Sequence, residues 1–356
     1  MAAISFARGV PAPECLPVRE LADCACAALE RDGLTILSYG PSPGYGPLRE
    51  WLAARHGVDP GRVFVTNGSL QGLVFLSQRL ARGRRVLVER PTYDRPLKIL
   101  RELDAEIVPL ACDDDGLDPD ALERELGRGA DPAFLYLIPT FQNPSGRTLP
   151  LERRRRVVEL AREHSLLVLE DDPYGLCRYD GEPLPSLFEL SGGGVAYSSS
   201  FSKTIAPGIR VGWFVLPEET AREVEATATA TYITPVLLGQ ATVYEFLARG
   251  NFEPNLERVN GLLRARRDAM IEALDRELPG RRHSQPEGGY FVWLELDGVD
   301  AGNLLARAEE AGVTFVKGTD FGGPADSLRL AFSFVSPAEI ADGVGRLAAA
   351  LPVAAL

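Results

Sequence analysis

From about residue 60 onward, short apolar runs alternate with longer segments in which apolar positions recur at helical spacing. Val63-Phe64-Val65 precedes a helical pattern that begins at Ser69, Arg85-Val86-Leu87-Val88-Glu89 runs into Pro91, and Phe134-Leu135-Tyr136-Leu137-Ile138 stops at Pro139. Leu166-Leu167-Val168-Leu169 gives way to Glu170-Asp171-Asp172, and Val195-Ala196-Tyr197-Ser198 leads to Lys203. Runs that are apolar throughout are what strands covered on both faces require. Their alternation with helical segments predicts a doubly wound α/β domain. In such sheets ligands bind beyond the carboxyl ends of the strands, and the polar residues of these segments fall there. One site can therefore collect them all.

Downstream of about residue 215 the pattern predicts a long helical stretch through Arg267. Gly289-Tyr290-Phe291-Val292-Trp293-Leu294-Glu295 then alternates like a strand with one solvated face. A helix at 301–311 and strands near 313–316 and 328–334 complete a smaller α+β unit. No internal repeat, low-complexity segment or Pro- or Ser-rich linker separates the two, so they are expected to pack closely.

Composition narrows the chemistry. The 356 residues, 45% hydrophobic, can bury a large core. With 38 basic against 50 acidic residues the formal net charge is −12, which repels phosphate backbones and anionic lipid, so neither nucleic acid nor membrane is expected as a partner. No stretch reaches the ~18 apolar residues of a membrane span, and the N-terminus lacks a basic segment followed by an apolar run, so a cytoplasmic location is expected. The five cysteines, Cys15, Cys24, Cys26, Cys112 and Cys177, read as reduced thiols. His56, His164 and His283 lie far apart in the chain without ligand spacing, so no metal site is expected, and His164 reads as the end of a helix.

The segment Ser198-Ser199-Ser200-Phe201-Ser202-Lys203-Thr204-Ile205-Ala206-Pro207-Gly208-Ile209-Arg210 puts hydroxyls, a lysine and an arginine in one turn-rich loop after a strand. That mixture suits a bound phosphate beside an amine whose pKa is lowered by burial and neighbouring cations. The bland reading is a surface lysine in a Ser-rich loop. The loop resembles the Ser-Phe-Ser-Lys…Pro-Gly-x-Arg motif of class I/II aminotransferases, the fold type I pyridoxal-phosphate enzymes. It is most similar to the 2-aminoadipate, kynurenine and branched-chain subgroup, which also supplies the effector domains of MocR-type regulators. The resemblance covers nearly the whole chain, from Ile4-Ser5-Phe6-Ala7-Arg8-Gly9 to Leu328-Arg329-Leu330-Ala331-Phe332-Ser333.

The resemblance implies a large pyridoxal-phosphate-binding domain over 31–245, with a mostly parallel seven-stranded sheet sandwiched by helices. It implies a smaller α+β domain built from 1–30 and 246–356. Lys203 is then the residue that carries the cofactor. Thr66-Asn67-Gly68-Ser69-Leu70-Gln71-Gly72 matches a phosphate loop that opens a helix, with Gly68, Ser69, Leu70 and Gln71 at the anion. Leu70 stands where the subgroup commonly has Gln, a change that main-chain contacts survive. Ser200, Ser202 and Arg210 add bonds to the same phosphate. In Glu170-Asp171-Asp172-Pro173-Tyr174, Asp171 is implied to pair with the ring nitrogen and Tyr174 to reach the phenolic oxygen. Asp172 is the rival, and the three-residue spacing to Tyr174 favours Asp171. Asn143, in Gln142-Asn143-Pro144-Ser145-Gly146, is implied to bond the same phenolic oxygen, and Tyr93 of Pro91-Thr92-Tyr93 to stack on the ring. Arg329 matches the arginine that grips the substrate α-carboxylate, and Tyr39 the tyrosine that crosses to the neighbouring subunit's phosphate, which implies a homodimer with shared sites.

The implied activity is transfer of an amino group between an L-amino acid and a 2-oxo acid by ping-pong kinetics, with Lys203 as proton carrier. Decarboxylation, elimination, oxidation or condensation on the same fold remain alternatives, since the fold does not dictate which bond at Cα breaks. The third reading is a non-catalytic effector module. Such regulators carry a basic winged-helix domain ahead of the fold, whereas here only Met-Ala-Ala precedes residue 4. Relatives usually carry an additional N-terminal helix, and Lys317-Gly318 stands where the subgroup usually has Pro-Gly; both bear on substrate choice.

Overall fold

The computed structural model describes residues 3–129 and 131–352, so the outermost ends of the ranges 1–30 and 246–356 lie outside the described residues. The chain opens with β1 (Ile4–Ser5) and then runs through α1 (Val18–Ile36) and α2 (Gly46–His56). Pro47 starts α2 and Gly57, at φ 63°, ends it in the left-handed region that favours glycine. Next come β2 (Val63–Thr66), α3 (Ser69–Leu80), β3 (Arg85–Arg90), α4 (Asp94–Glu102), β4 (Glu106–Asp113), β5 (Gly116–Leu117), α5 (Pro119–Leu126) and β6 (Phe134–Leu137). They are followed by α6 (Leu151–Glu163), β7 (Val168–Asp171), α7 (Leu187–Leu190), β8 (Ala196–Ser200) and β9 (Gly212–Val215). His164 caps the C-terminal end of α6.

These strands form one sheet in the order β2-β9-β8-β7-β6-β3-β4-β5. The run β8-β7-β6-β3-β4 is parallel, while β9 is antiparallel to both of its neighbours. The sheet thus has an eighth, two-residue edge strand beyond the seven expected, formed where the chain turns back at Gly116 and pairs with Cys112 and Asp113. β2, β6, β8 and β9 are buried along their whole length, which is why their sequences do not alternate. Clusters of apolar side chains cover both faces.

The helical stretch expected from 215 to 267 is three helices, α8 (Glu218–Tyr232), α9 (Leu237–Ala248) and α10 (Phe252–Glu277). The first break is Ile233-Thr234-Pro235-Val236, where Ile233 has φ 65° and Pro235 cannot continue a helix; the second is at Gly250, φ 72°. The remaining elements are β10 (Arg282–His283), β11 (Phe291–Glu295), α11 (Ala301–Glu310), β12 (Val313–Thr314), β13 (Val316–Lys317), β14 (Ser327–Ala331) and α12 (Pro337–Ala349). They make an antiparallel sheet, β10-β11-β14-β13, while β1 pairs with β12 in parallel. Ser336 and Glu339 close a reciprocal capping box at the start of α12.

β11 corrects the reading of one solvated face. Phe291 and Trp293 are as buried as Val292 and Leu294, because one side of the strand packs in the small core and the other faces Arg329 and Phe321. The boundary at residue 30 does not follow the packing either. Ile4, Phe6, Ala12 and Cys15 join the core of α10, β11, β14 and α12, but α1 buries Cys24, Ala28 and Ile36 with α2 and α9 against the large sheet.

Candidate active site

The carboxyl ends of β6, β7 and β8, the start of α3 and one face of β14 surround a cavity of about 600 Å³. Of the residues singled out from sequence, Gly68, Ser69, Leu70, Tyr93, Asn143, Asp171, Tyr174, Ser200, Ser202, Lys203, Arg210 and Arg329 all line it. Gln71 and Tyr39 do not. The Gln71 side chain turns back to accept the backbone N–H of Asn67 at 3.0 Å, and Tyr39 is 82% exposed on the outer surface.

Lys203 reaches the cavity from the loop after β8. Its Nζ donates to the carbonyl of Gly9 at 2.7 Å and lies near the rings of Tyr174 and Tyr290. The main chain beneath it is held fast. The Tyr290 hydroxyl donates to the Lys203 carbonyl at 2.9 Å, and the Asn255 amide donates to that of Thr204 at 2.7 Å. Burial of the amine, helped by the positive charges of Arg329 and Arg210, lowers the Lys203 pKa to about 8.

Asp171 ends β7 and Asp172 follows it, and their side chains point to opposite faces of the sheet. Asp172 is saturated away from the cavity, accepting from the Tyr197 hydroxyl at 3.0 Å and from the Gly175 N–H at 2.8 Å. Asp171 accepts from the Tyr136 hydroxyl at 2.7 Å through Oδ2, while its buried Oδ1 has no partner. Burial pushes the Asp171 pKa up to about 6, with the Tyr136 and Ser198 hydroxyls opposing.

The start of α3 is built as an anion cradle. Gly68 sits at the N-cap with φ 90° and no side chain caps the helix. A Cβ on Gly68 would lie 2.2 Å from the guanidinium of Arg210, and one on Gly212 would lie 2.2 Å from the Ser69 nitrogen, so the arginine and β9 close on this turn as only glycines permit. Arg210, itself at φ 54°, is tethered by donating to the carbonyls of Asn67 and Pro207, and the Ser200 and Ser202 hydroxyls bond one another at 2.8 Å beside it.

Across the cavity, Arg329 projects from β14 between the rings of Phe291 and Phe321, 4.2 and 4.8 Å from their centroids. It donates to Asn143 Oδ1 at 2.8 Å and to the Ala7 carbonyl at 2.9 Å, but its buried Nε has no acceptor. Among the described residues no carboxylate pairs with it, and burial lowers its pKa to about 10. A buried guanidinium without a counter-charge is a site for a carboxylate.

The cavity also contains residues that the sequence reading did not single out: Phe291 and Phe321 as apolar walls, and Asp94, Arg95, Lys98 and Asp320 at the mouth. Tyr136 supports it from behind. The only signal for Tyr136 was a phenol inside an otherwise aliphatic and aromatic strand, and the backbone carbonyls of Ala7 and Gly9 gave none.

Pyridoxal phosphate fits these residues. The unpartnered oxygen of Asp171 matches a protonated ring nitrogen, the uncapped glycine turn with Arg210 matches a phosphate, and the enclosed amine of Lys203 matches an aldehyde. Comparison with known proteins agrees. The family described as aminotransferase class I and II matches residues 15–347. The chain is 42% identical to the 2-aminoadipate transaminase of Thermus thermophilus, over 98% of this chain and 90% of that one. It is 34% identical to aromatic-amino-acid aminotransferase 1 of Thermococcus litoralis, over 97% and 87%. Among solved structures, the α-aminoadipate aminotransferase of Thermus thermophilus, complexed with N-(5′-phosphopyridoxyl)-L-leucine, superposes with a TM-score of 0.93 at 40% identity, over 98% and 92% of the two chains. The kynurenine aminotransferase of Pyrococcus horikoshii does so at 0.94 and 34%, over 98% and 91%.

Proposed function

This chain belongs to the class I and II aminotransferases, pyridoxal-phosphate-dependent enzymes of fold type I, and from that premise we propose that it moves the amino group of an L-amino acid to a 2-oxo acid in two half-reactions around Lys203. The observation that carries this reading is the convergence of Lys203, Asp171 and Arg329 on one cavity, with Asp171 Oδ1 and Arg329 Nε both lacking partners.

When bound, the cofactor supplies an aldehyde and an electron-withdrawing ring that stabilises negative charge at the substrate Cα. The chain's residues supply the rest. Ser69, Leu70, Ser200, Ser202 and Arg210 would hold the phosphate, Asp171 would keep the ring nitrogen protonated, Tyr93 would pack against the ring, and Asn143 and Tyr174 would serve the phenolic oxygen. Arg329 binds the α-carboxylate and so orients the Cα–H bond, while Phe291 and Phe321 keep water from that ion pair and strengthen it. Lys203 accepts the Cα proton at Nζ and returns a proton on the other side of the reaction, a role suited to an amine whose pKa is near 8.

A homodimer with shared sites is part of this proposal. Leu34, Leu37, Tyr39, Ile233 and Val236 are all exposed, and the two segments meet where the Gly40 N–H donates to the Thr234 hydroxyl. An apolar surface of this kind supports a subunit contact, with Tyr39 reaching the partner's phosphate. Five free cysteines support a reducing, cytoplasmic setting. No helix among the described residues is long and apolar enough to cross a membrane.

The deciding experiment separates the half-reactions. With the holoenzyme and one L-amino acid alone, drawn from a panel that includes L-2-aminoadipate and the aromatic amino acids, one equivalent of 2-oxo acid per site should appear and turnover should stop. A second 2-oxo acid should restart it and be converted to its amino acid. Release of carbon dioxide or ammonia under continuous turnover would move the chain to the lyase-type alternatives.

A further inference from the structure

We propose that Tyr136 is a positioning residue for the reaction. Its hydroxyl, donated to one oxygen of Asp171, holds that carboxylate anionic and turns its other oxygen toward the cavity, where it meets a protonated ring nitrogen. The inference rests on the reading of Asp171 given above and deepens it.

The sheet itself brings the pair together. β6 and β7 are parallel, with Tyr136 opposite Leu169, so Asp171, two residues along, projects from the same face as Tyr136 and one diagonal step away. The hydroxyl–carboxylate distance is 2.7 Å, and Tyr136 is 1% exposed, so the phenol is a fixed part of the interior on which this carboxylate rests. Other directions offer Asp171 little support. Tyr93 faces it from the turn before α4 and Tyr174 from the loop after β7. β8 contributes the uncharged Ser198 hydroxyl, α3 the uncharged Leu70 and Leu73, and the neighbouring Asp172 repels. No cation among these groups compensates the buried carboxylate. A donated hydrogen bond favours the charged form of a carboxylate, and burial disfavours it. Tyr136 is thus a principal support of the charge for which Asp171 is used.

The structure provides a matched control. Tyr197, on β8, makes the same kind of phenol-to-carboxylate bond to Asp172, at 3.0 Å and also in the interior, but on the far side of the sheet from the cavity. Loss of a buried hydroxyl and its bond to a carboxylate costs stability in both Phe variants, whereas only Tyr136 bears on the cofactor.

The test is fluorescence titration of apoenzyme with pyridoxal phosphate from pH 5 to 9, for wild type, Tyr136→Phe, Tyr197→Phe and Asp171→Asn, with thermal melts of each apoenzyme. In wild type, affinity should fall as the pH drops through the titration of Asp171. Removing the phenol removes a bond to the anion, so the carboxylate picks up its proton at higher pH. Tyr136→Phe should therefore lose affinity from a higher pH and bind about ten- to hundredfold more weakly at neutral pH, the range of a hydrogen bond to a charged group. Tyr197→Phe should melt earlier and bind as wild type does. If Asp171→Asn weakens binding but Tyr136→Phe keeps the wild-type profile, the role assigned to Tyr136 is wrong and Asp171 stands. If Asp171→Asn itself binds as wild type, the reading of the site fails first. Should Tyr136→Phe not fold, Tyr136→His decides, since its ring N–H returns a donor. Binding that follows wild type is then expected, and binding as weak as that of Asp171→Asn overturns the assignment.

Discussion

At the scale of the residue, two buried cations carry opposite duties. Arg329 stays charged and lacks a counter-ion among the described residues, so its replacement by Leu should cost about 2–5 kcal/mol in kcat/KM, mostly as a raised KM for amino acid and oxo acid alike. Steady-state kinetics check this, and an unchanged KM would place the substrate carboxylate elsewhere. Lys203 must be neutral to react with an aldehyde. Burial has brought its pKa to about 8 from an ordinary value of 10.5, so the reactive form is present above about pH 8 rather than only above 10.5. The rate of cofactor attachment to apoenzyme, followed by stopped-flow absorbance, should rise with pH and level off above about 8. A rate still climbing steeply at pH 10 would show an ordinary lysine. That Lys203, Asp171, Asn143 and Arg329 line one cavity was legible in the sequence, the first three from motifs of fixed spacing and Arg329 from the resemblance of its strand. Tyr136 was not, because a phenol in a buried strand reads as core until its partner on the next strand is known. Gln71 was legible only by proximity, and its side chain serves its own turn.

At the scale of the element, the junction of β9 with the start of α3 matters more than either alone. Gly212 lets β9 pass against the Ser69 nitrogen, and a Cβ there meets backbone that cannot swing away. Gly212→Ala should therefore push the helix start off Arg210, with a stability cost of about 1–3 kcal/mol, as for overpacking. The affinity for pyridoxal phosphate should fall more than the melting temperature alone would suggest. A melt and a cofactor titration of the same variant separate the two, and a destabilised protein with unaltered affinity would show that the cradle tolerates the shift. The parallel strands were legible because burial on both faces leaves an unbroken apolar run. The breaks between α8, α9 and α10 were not. Their flanks keep helical spacing, and the signals for a turn were a single Pro235 and a single Gly250. The two faces of β11 were misread because the face of Phe291 and Trp293 is covered by Phe321, from the segment between β13 and β14, and at Phe291 also by Tyr174 of the large unit, which periodicity within one strand cannot register.

At the scale of the whole molecule, the site is assembled from distant parts of the chain, and the N-terminal segment shows how. Phe6 accepts from Ala331, Ala7 from Arg329 and Gly9 from Lys203, so a few residues of extended backbone tie the small sheet to the loop that bears the reactive amine. Past Cys15 the chain enters α1 and leaves the small core for the large one, which a boundary drawn at residue 30 could not anticipate because the helix is amphipathic whichever core it covers. At the far end of α1 lie the exposed Leu34, 93% accessible, Leu37 and Tyr39. If Tyr39 completes the site of a second copy, no single chain holds a whole phosphate cradle, and two defective chains can complement each other. Tyr39→Ala and Lys203→Ala should each be nearly inactive as homodimers. Denatured together and refolded in equal amounts, half of the dimers are hybrids, and each hybrid has one site with Lys203 from one chain and Tyr39 from the other. Activity should return to roughly a quarter of that of the wild type. Recovery near that value assigns Tyr39 to the neighbour's site, whereas no recovery alongside a verified hybrid dimer would confine the site to one chain and leave the apolar surface as a contact without a catalytic share.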